Sequence, residues 1–323
     1  MHKRLFNEAE IRFTIIPTGP ILIKASEGGS DPTRPDMEFV RTHYAGRPDV
    51  PYLPGSSLKG VIRAHCERIV RTLDGDEQGR PLACDPLDDK KSCNKRLEKE
   101  KQSLNGERAH ARSCFICQLF GNTALAGHLR TADAYPEDVK AVRTEERDGV
   151  AIDRVFGSVA VGPFQLEVVT GGEFATRLYL KNFTIAQLGL VGLALRDLKA
   201  GRVGVGFGKS RGLGAVTTRL DRLTVRYPTW SLLGQDQQQN ILPGVAALIG
   251  AELAGEYGYL KGKANARFGY VTPGDDKVEL PGSLALTSDN WLGAELDVKT
   301  EDEIESVWRG CMAAWKKAVG LEL

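Results

Sequence analysis

Four of the six cysteines stand at Cys84-x8-Cys93-x20-Cys114-x2-Cys117, a spacing that limits the fold more than any other feature of the sequence. A C-x2-C pair presents two thiolates to one tetrahedral ion, and two further cysteines across an intervening segment close a four-sulfur site. In that segment, Asp74 to Arg112, nearly half the residues are charged and apolar periodicity lapses. A stretch so poor in apolar residues cannot order itself by burial and needs a tether, which a structural zinc supplies. His110 is an alternative to one of the distant cysteines, free thiols are the alternative to a metal, and a disulfide ranks third because the chain reads as cytoplasmic. That expectation rests on Met1 to Glu10, which lacks the apolar run of a signal peptide, and on the lack of any run of ~18 apolar residues that would span a membrane.

Around this insert the hydrophobic pattern alternates between two periods. Ile11–Ile16 and Ile21–Ala25 read as strands joined at Pro17–Pro20, a hairpin, and Ser26–Pro35 reads as a loop. Pro54 to Arg63 opens a helix, with Ser56 or Ser57 as N-cap and Leu58, Ile62, His65, Ile69 and Leu73 at helical spacing. A strand near His128–Ala132 follows, then a protruding hairpin over 145–172 that carries Asp153 and Arg154. Phe174–Leu180 alternates as a strand, Thr184 caps a helix running to Asp197, and Ala215–Leu220 with Leu223–Tyr227 is β again. The order β, β, helix, β, β, helix, β predicts an α+β fold with a ferredoxin-like or RNA-recognition-type core. The expected organisation is one domain over 1–227, with an insert at 74–113 and a thumb at 145–172, and a C-terminal extension over 228–323. The extension ends in an amphipathic helix, Glu301–Val319, with Ile304, Trp308, Met312 and Trp315 on one face.

The 323 residues are 41% hydrophobic, and 43 basic against 42 acidic side chains leave a net charge of +1. A core is affordable, and no global field draws the chain to nucleic acid, so an RNA site must be a local patch. Two places qualify. The helix start aims backbone N–H groups at whatever lies ahead of it, with Lys59 and Arg63 one turn apart. The run Gly201–Gly214 packs six glycines into fourteen residues around Lys209 and Arg211, so its backbone can approach a phosphate closely. Neither run is a nucleotide-binding signature: Gly204 lies three residues rather than four before Gly208-Lys209-Ser210, and Arg211 stands where G-x-G-x-x-G needs its last glycine. Ser56-Ser57-Leu58-Lys59 with Ser288-Asp289-Asn290 spells two thirds of a penicillin-binding set whose K-T-G is missing, which makes a serine hydrolase the weakest of three functional classes. Asp31 and Asp36 sit on the loop ahead of the helix, where aspartate also serves ordinary turns.

Taken in order, the glycine-rich loop ending in Asp36, Tyr52-Leu-Pro-Gly-Ser-Ser-Leu-Lys-Gly-Val-Ile-Arg63, Cys114-x2-Cys117-Gln-Leu-Phe-Gly121, Ile152-Asp153-Arg154 and Gly204–Gly214 resemble the RAMP superfamily of CRISPR-associated proteins. More narrowly they resemble the backbone subunit of type III effector complexes, over Ile11 to Tyr227. The resemblance implies that Ser56, Ser57, Lys59, Arg63, Gly208, Lys209 and Arg211 hold guide-RNA phosphates. The thumb with Arg154 would then kink the guide–target duplex. Asp36, with Asp31 second, would support cleavage of target RNA at regular intervals with a divalent cation such as magnesium. Implied partners are guide RNA, target RNA, other CRISPR effector subunits and further copies of the same chain, with no membrane. The alternative within this family is a non-catalytic RNA-binding scaffold.

Overall fold

The computed structural model describes residues 4–25, 35–73, 82–89, 91–99, 105–231, 239–253, 274, 276–289 and 291–318. In chain order the principal elements are β1 (Glu8–Pro17), α1 (Gly55–Arg71), α2 (Cys93–Glu98), α3 (Gly106–Arg112), α4 (Phe115–Phe120), β2 (Leu129–Thr131), β3 (Arg143–Ile152) and β4 (Val159–Gly171). They continue as β5 (Phe174–Lys181), α5 (Ile185–Lys199), β6 (Val216–Tyr227), α6 (Val245–Leu253), β7 (Thr287–Ser288), β8 (Ala294–Val298) and α7 (Glu301–Ala318).

β1 is the centre. Ala9, Ile11, Phe13 and Ile15 point into the core, and the residues between them point to the opposite face, the period-two pattern of a strand covered on one side. Both of its edges are used: Ile11 pairs with Leu178 of β5 on one side and with Leu223 of β6 on the other. The antiparallel sheet runs β7-β8-β6-β1-β5-β2.

That arrangement overturns the expected hairpin of Ile11–Ile16 with Ile21–Ala25. With no free edge left on β1, the second segment takes its partners elsewhere: Ile21 bridges Val169 of β4 and Lys24 bridges Phe39.

Helices α1, α5 and α7 cover the apolar face. Thr184 caps α5 by accepting from the Gln187 N–H while the Gln187 side chain accepts from the Thr184 N–H. α5 is buried almost all round, because the sheet lies beneath it, α1 on one flank and α7 on the other. A Cβ on Gly192 would lie 2.4 Å from the Trp308 ring, and one on Gly189 2.5 Å from Met312, so two glycines one turn apart form the notch that admits α7. The C-terminal segment is thus continuous with the core: β8 extends the sheet from Leu223↔Val298 to Tyr227↔Ala294, and Ile304, Val307, Trp308 and Cys311 are buried.

The opposite face of the sheet is charged. Glu10 meets Arg12 at 2.5 Å and Arg226 at 4.0 Å, Arg222 grips Asp297 through two hydrogen bonds, and the Arg177 guanidinium lies 5.2 Å over the Tyr179 ring. Glu10 is buried among these pairs while Arg12 and Arg226 stay partly exposed, so the charges on this face satisfy one another within the sheet. An RNA-recognition platform stacks bases on aromatic residues of its open sheet face. Here that face is occupied by its own ion pairs.

Candidate nucleic-acid interface and metal centre

The four cysteines converge. Their sulfurs all lie within 4.8 Å of one another, with Cys84 Sγ 3.6 Å from Cys117 Sγ, near the ~3.8 Å edge of a tetrahedron with zinc–sulfur bonds of ~2.3 Å. Cys114 is the N-cap of α4 and Cys93 opens α2, so two helix starts present their backbone to the cluster. The Cys84 N–H reaches Cys114 Sγ at 3.4 Å, the Cys114 N–H reaches Cys93 Sγ at 3.2 Å, and the Cys117 N–H reaches Cys114 Sγ at 3.3 Å. Arg96 donates to Cys93 Sγ at 3.3 Å and Arg63 to Cys117 Sγ at 3.6 Å. This is the outer shell a thiolate cluster requires: N–H donors and positive charge against sulfur. Hydrogen bonds from Cys114 and Cys117 draw Cys84 down to about 6 and lower Cys93 as well, while Cys114 is pushed up by the same exchange. These residues fit a metal ion such as zinc. His110 does not join them; it is buried and stacks on His128 with ring centroids 5.1 Å apart. Ala83, Leu97, Ala109 and Ala111 of the insert are buried, and Arg71 of α1 donates to the Cys84 carbonyl at 2.8 Å, which ties the cysteine segment to that helix.

The start of α1 differs from its sequence reading. The N-cap is Pro54, with no side-chain cap, and the Asp133 carboxylate accepts the Gly55 N–H at 2.7 Å. A Cβ on Gly55 would lie 2.6 Å from the Thr131 carbonyl, so only glycine lets the helix start this close to β2. The chain's own carboxylate therefore takes one of the N–H groups expected to face an external anion. Arg63 is turned inward: it donates to Glu67 at 2.9 Å, to the Gly121 carbonyl at 3.0 Å and to Cys117. Lys59 is half-buried, and burial together with the Arg63 charge lowers its pKa. Ser56 is exposed.

A third stripe of α1 faces an open groove of ≈ 850 Å³ between the helix and the glycine-rich loop. Ser57, Gly60, Val61, Ala64 and Arg68 form one wall, with small residues keeping it open, and Arg202, Phe207 and Lys209 stand on the other. The loop holds its shape through left-handed glycines: Gly208 at φ 70° and Gly212 at φ 81° flank a single 3-10 turn, Lys209–Arg211. At Gly206, φ 84°, a Cβ would lie 2.2 Å from the Leu22 carbonyl, so the loop lies directly on the segment below it. Of the residues expected to hold RNA, Ser57 and Lys209 line the groove; Arg211 packs over Phe207 at 4.9 Å beside it. Lys24, Arg68, Arg202 and Phe207 were not singled out by sequence. The spacing Ser57, Val61, Ala64, Arg68 along one helix face is the signal that finds Arg68; Lys24, Arg202 and Phe207 reach the groove because segments remote in sequence, Leu22–Lys24 and the glycine-rich loop, are packed opposite α1.

The groove is connected by backbone hydrogen bonds to the other expected site. Phe207 N–H donates to the Leu22 carbonyl at 2.7 Å, Val40 N–H to Ile23 at 2.9 Å, and Met37 N–H to Gln165 at the base of the β3–β4 hairpin at 3.0 Å. Asp36 is exposed at that base, and its Oδ2 accepts the Gln165 N–H at 2.9 Å. Asp31 lies outside the described residues. The hairpin protrudes, with β3 exposed along most of its length, and Asp153 folds its tip by accepting the Val155 and Phe156 N–H groups at 2.7 and 2.8 Å. Arg154 is exposed there beside Val155 and Phe156, which are 82% and 85% exposed. Among the described residues the four cysteines are the one group of three or more His, Cys, Asp or Glu side chains near enough to share an ion. No described helix is long and apolar enough to cross a membrane.

No curated protein matches the chain. The sequence model of the RAMP superfamily matches residues 20–217, a span that holds the groove, the cysteine cluster and the hairpin and covers more than half of the chain. The protein therefore belongs to the RAMP superfamily of CRISPR-associated proteins.

Proposed function

We propose that the chain is a guide-RNA-binding backbone subunit of a type III CRISPR ribonucleoprotein effector, and that Asp36 supports cleavage of target RNA. The observation that carries this reading is the unbroken hydrogen-bonded path from the glycine-rich loop through Leu22–Ile23 and Met37–Val40 to the base of the hairpin. A strand of RNA gripped in the groove would have its neighbour strand brought past Asp36 and the thumb without any further element.

The order β6-β1-β5-β2 is the order expected of a ferredoxin-like core, which supports the RNA-recognition-type reading, while the ion-paired sheet face favours the groove over the sheet as the RNA path. Phosphate contact falls to Ser57, Arg68, Arg202 and Lys209, with Arg211 beside them and Arg154 on the thumb. Such contacts position a strand without reading its sequence, in keeping with a chain of net charge +1 that is basic only locally. Magnesium commonly keeps one or two protein carboxylates and completes its shell from phosphate oxygens and water, so a single Asp36 is compatible with a cation delivered with the RNA. The second reading is a non-catalytic scaffold, in which Asp36 serves only to accept the Gln165 N–H and fix the loop to the hairpin. Partners on either reading are guide RNA, target RNA, other effector subunits and further copies of this chain.

The test is cleavage of labelled target RNA by guide-loaded complex with magnesium present. Asp36→Ala is expected to abolish cutting and to leave guide binding intact. Full cutting by that variant, with loss in Asp31→Ala, moves the assignment to Asp31; no cutting by the unsubstituted complex establishes the scaffold.

A further inference from the structure

Beneath the groove lies a buried carboxylate that neither the phosphate grip nor the metal centre uses. Asp197, near the end of α5, is 7% exposed. Its Oδ2 accepts His65 Nε2 of α1 at 2.8 Å, and its Oδ1 accepts Arg196 at 2.7 Å and Arg202 at 2.9 Å. Arg202 also donates its backbone N–H to the Asp197 carbonyl at 2.9 Å, so side chain and backbone fix it to the same residue. With His65 Nε2 carrying the proton that goes to the carboxylate, Nδ1 is left as an acceptor, and Arg68 Nη2 lies 3.5 Å from it. Burial alone raises the Asp197 carboxyl, and the bonds from His65, Arg196 and Arg202 outweigh this and hold it below its usual value.

Two of the residues tied to this carboxylate, directly or through His65, are Arg202 and Arg68, which stand on opposite walls of the groove. An arginine on a solvated surface samples many rotamers, and fixing it before a ligand arrives removes that cost from binding. One carboxylate cannot neutralise three guanidinium groups, so the cluster remains positive toward the groove.

We infer that Asp197 and His65 are positioning residues that hold Arg202 and Arg68 across the groove as a two-arginine clamp for a phosphodiester of single-stranded RNA. The clamp rests on the reading of the groove as the RNA path, and it adds Arg68, which lies beyond the Pro54–Arg63 motif, and a role for Arg202 at the start of the glycine-rich run.

Binding of labelled single-stranded RNA to the purified full-length chain tests it. Arg202→Gln and Asp197→Asn are each expected to weaken binding about tenfold, and each to reduce the salt slope by about 0.7, the value for one single-strand phosphate contact. The double variant is expected to be no weaker than either single one, because Asp197 acts through Arg202. His65→Gln paired with Arg68→Gln repeats the cycle at a half-buried site and serves if Asp197→Asn fails to fold by circular dichroism. Folded Asp197→Asn or His65→Gln with unchanged affinity, or losses that add in full to those of the arginine variants, overturns the clamp. Lys209→Ala separates the two levels. If it weakens binding while Asp197→Asn does not, the clamp alone falls; if every groove variant binds normally, the groove reading falls and takes the clamp with it.

Discussion

Single residues in this chain are defined by partners far away in sequence, and Asp276 is the plainest case. It is buried, and its two oxygens accept the Ile185 N–H at 2.7 Å and the Ala246 N–H at 2.8 Å, so one carboxylate closes the starts of α5 and α6 together. Burial pushes its carboxyl up to about 7 against the pull of those backbone donors. A carboxyl with a folded value above its unfolded one stabilises most below the unfolded value, near 4, and loses that contribution as pH rises through 7. Asp276→Asn, which cannot ionise and turns an amide N–H toward a backbone N–H, is expected to lower Tm throughout. The gap from the unsubstituted chain is expected to be widest near about pH 4 and to narrow toward about pH 8. A constant gap across that range would refute the assignment. Nothing around Asp276 in sequence announces this, since both donors lie on other elements. For Arg63 the partner is local: Glu67 stands four residues on, a spacing that pairs the two side chains along the helix. The cap of α1 was beyond reach, because Asp133 is 78 residues from Gly55.

At the scale of elements, what was legible is what is local. Thr184 marked the start of α5, the alternation of Phe174–Leu180 marked β5, and the cysteine spacing predicted a convergence that the sulfurs display. The failed hairpin at Ile21–Ala25 shows the limit: a β-rich segment does not say which edge it will find, and β1 had none to offer. The insert around α2 and α3 was read as needing a tether, and its packing permits a test. Among its described residues Leu97 is a fully buried large apolar side chain, worth about 2 kcal/mol of burial, too little by itself to fix two short helices against chain entropy. Purified protein is expected to hold one zinc per chain by elemental analysis. Cys93→Ser is expected to lose most of it and to open the Lys95–Arg112 region to trypsin while the sheet stays folded. A metal-free protein equally resistant to trypsin would sink the structural role.

At the scale of the molecule, the family match and the folded unit have different boundaries. The match ends at residue 217, and the sequence pattern suggested a domain closing at Tyr227, yet the structure runs through that point. β6 lends its far edge to β8, and the apolar side of α5 receives Trp308, Cys311 and Met312 in a notch made by Gly189 and Gly192. Removing residues 228–323 would leave an unpaired edge on β6 and uncover the Gly189–Gly192 side of α5 that Trp308, Cys311 and Met312 now cover, the combination that drives edge-to-edge aggregation. It would also remove Asp276 from the start of α5, the helix that carries Asp197 under the groove. A chain of residues 1–227 is therefore expected to be insoluble, or soluble only as an aggregate by size-exclusion chromatography, and to bind RNA far more weakly than the full chain. A monomeric 1–227 fragment with undiminished RNA affinity would mean instead that the C-terminal segment is dispensable packing and that the groove is organised by the first 227 residues alone.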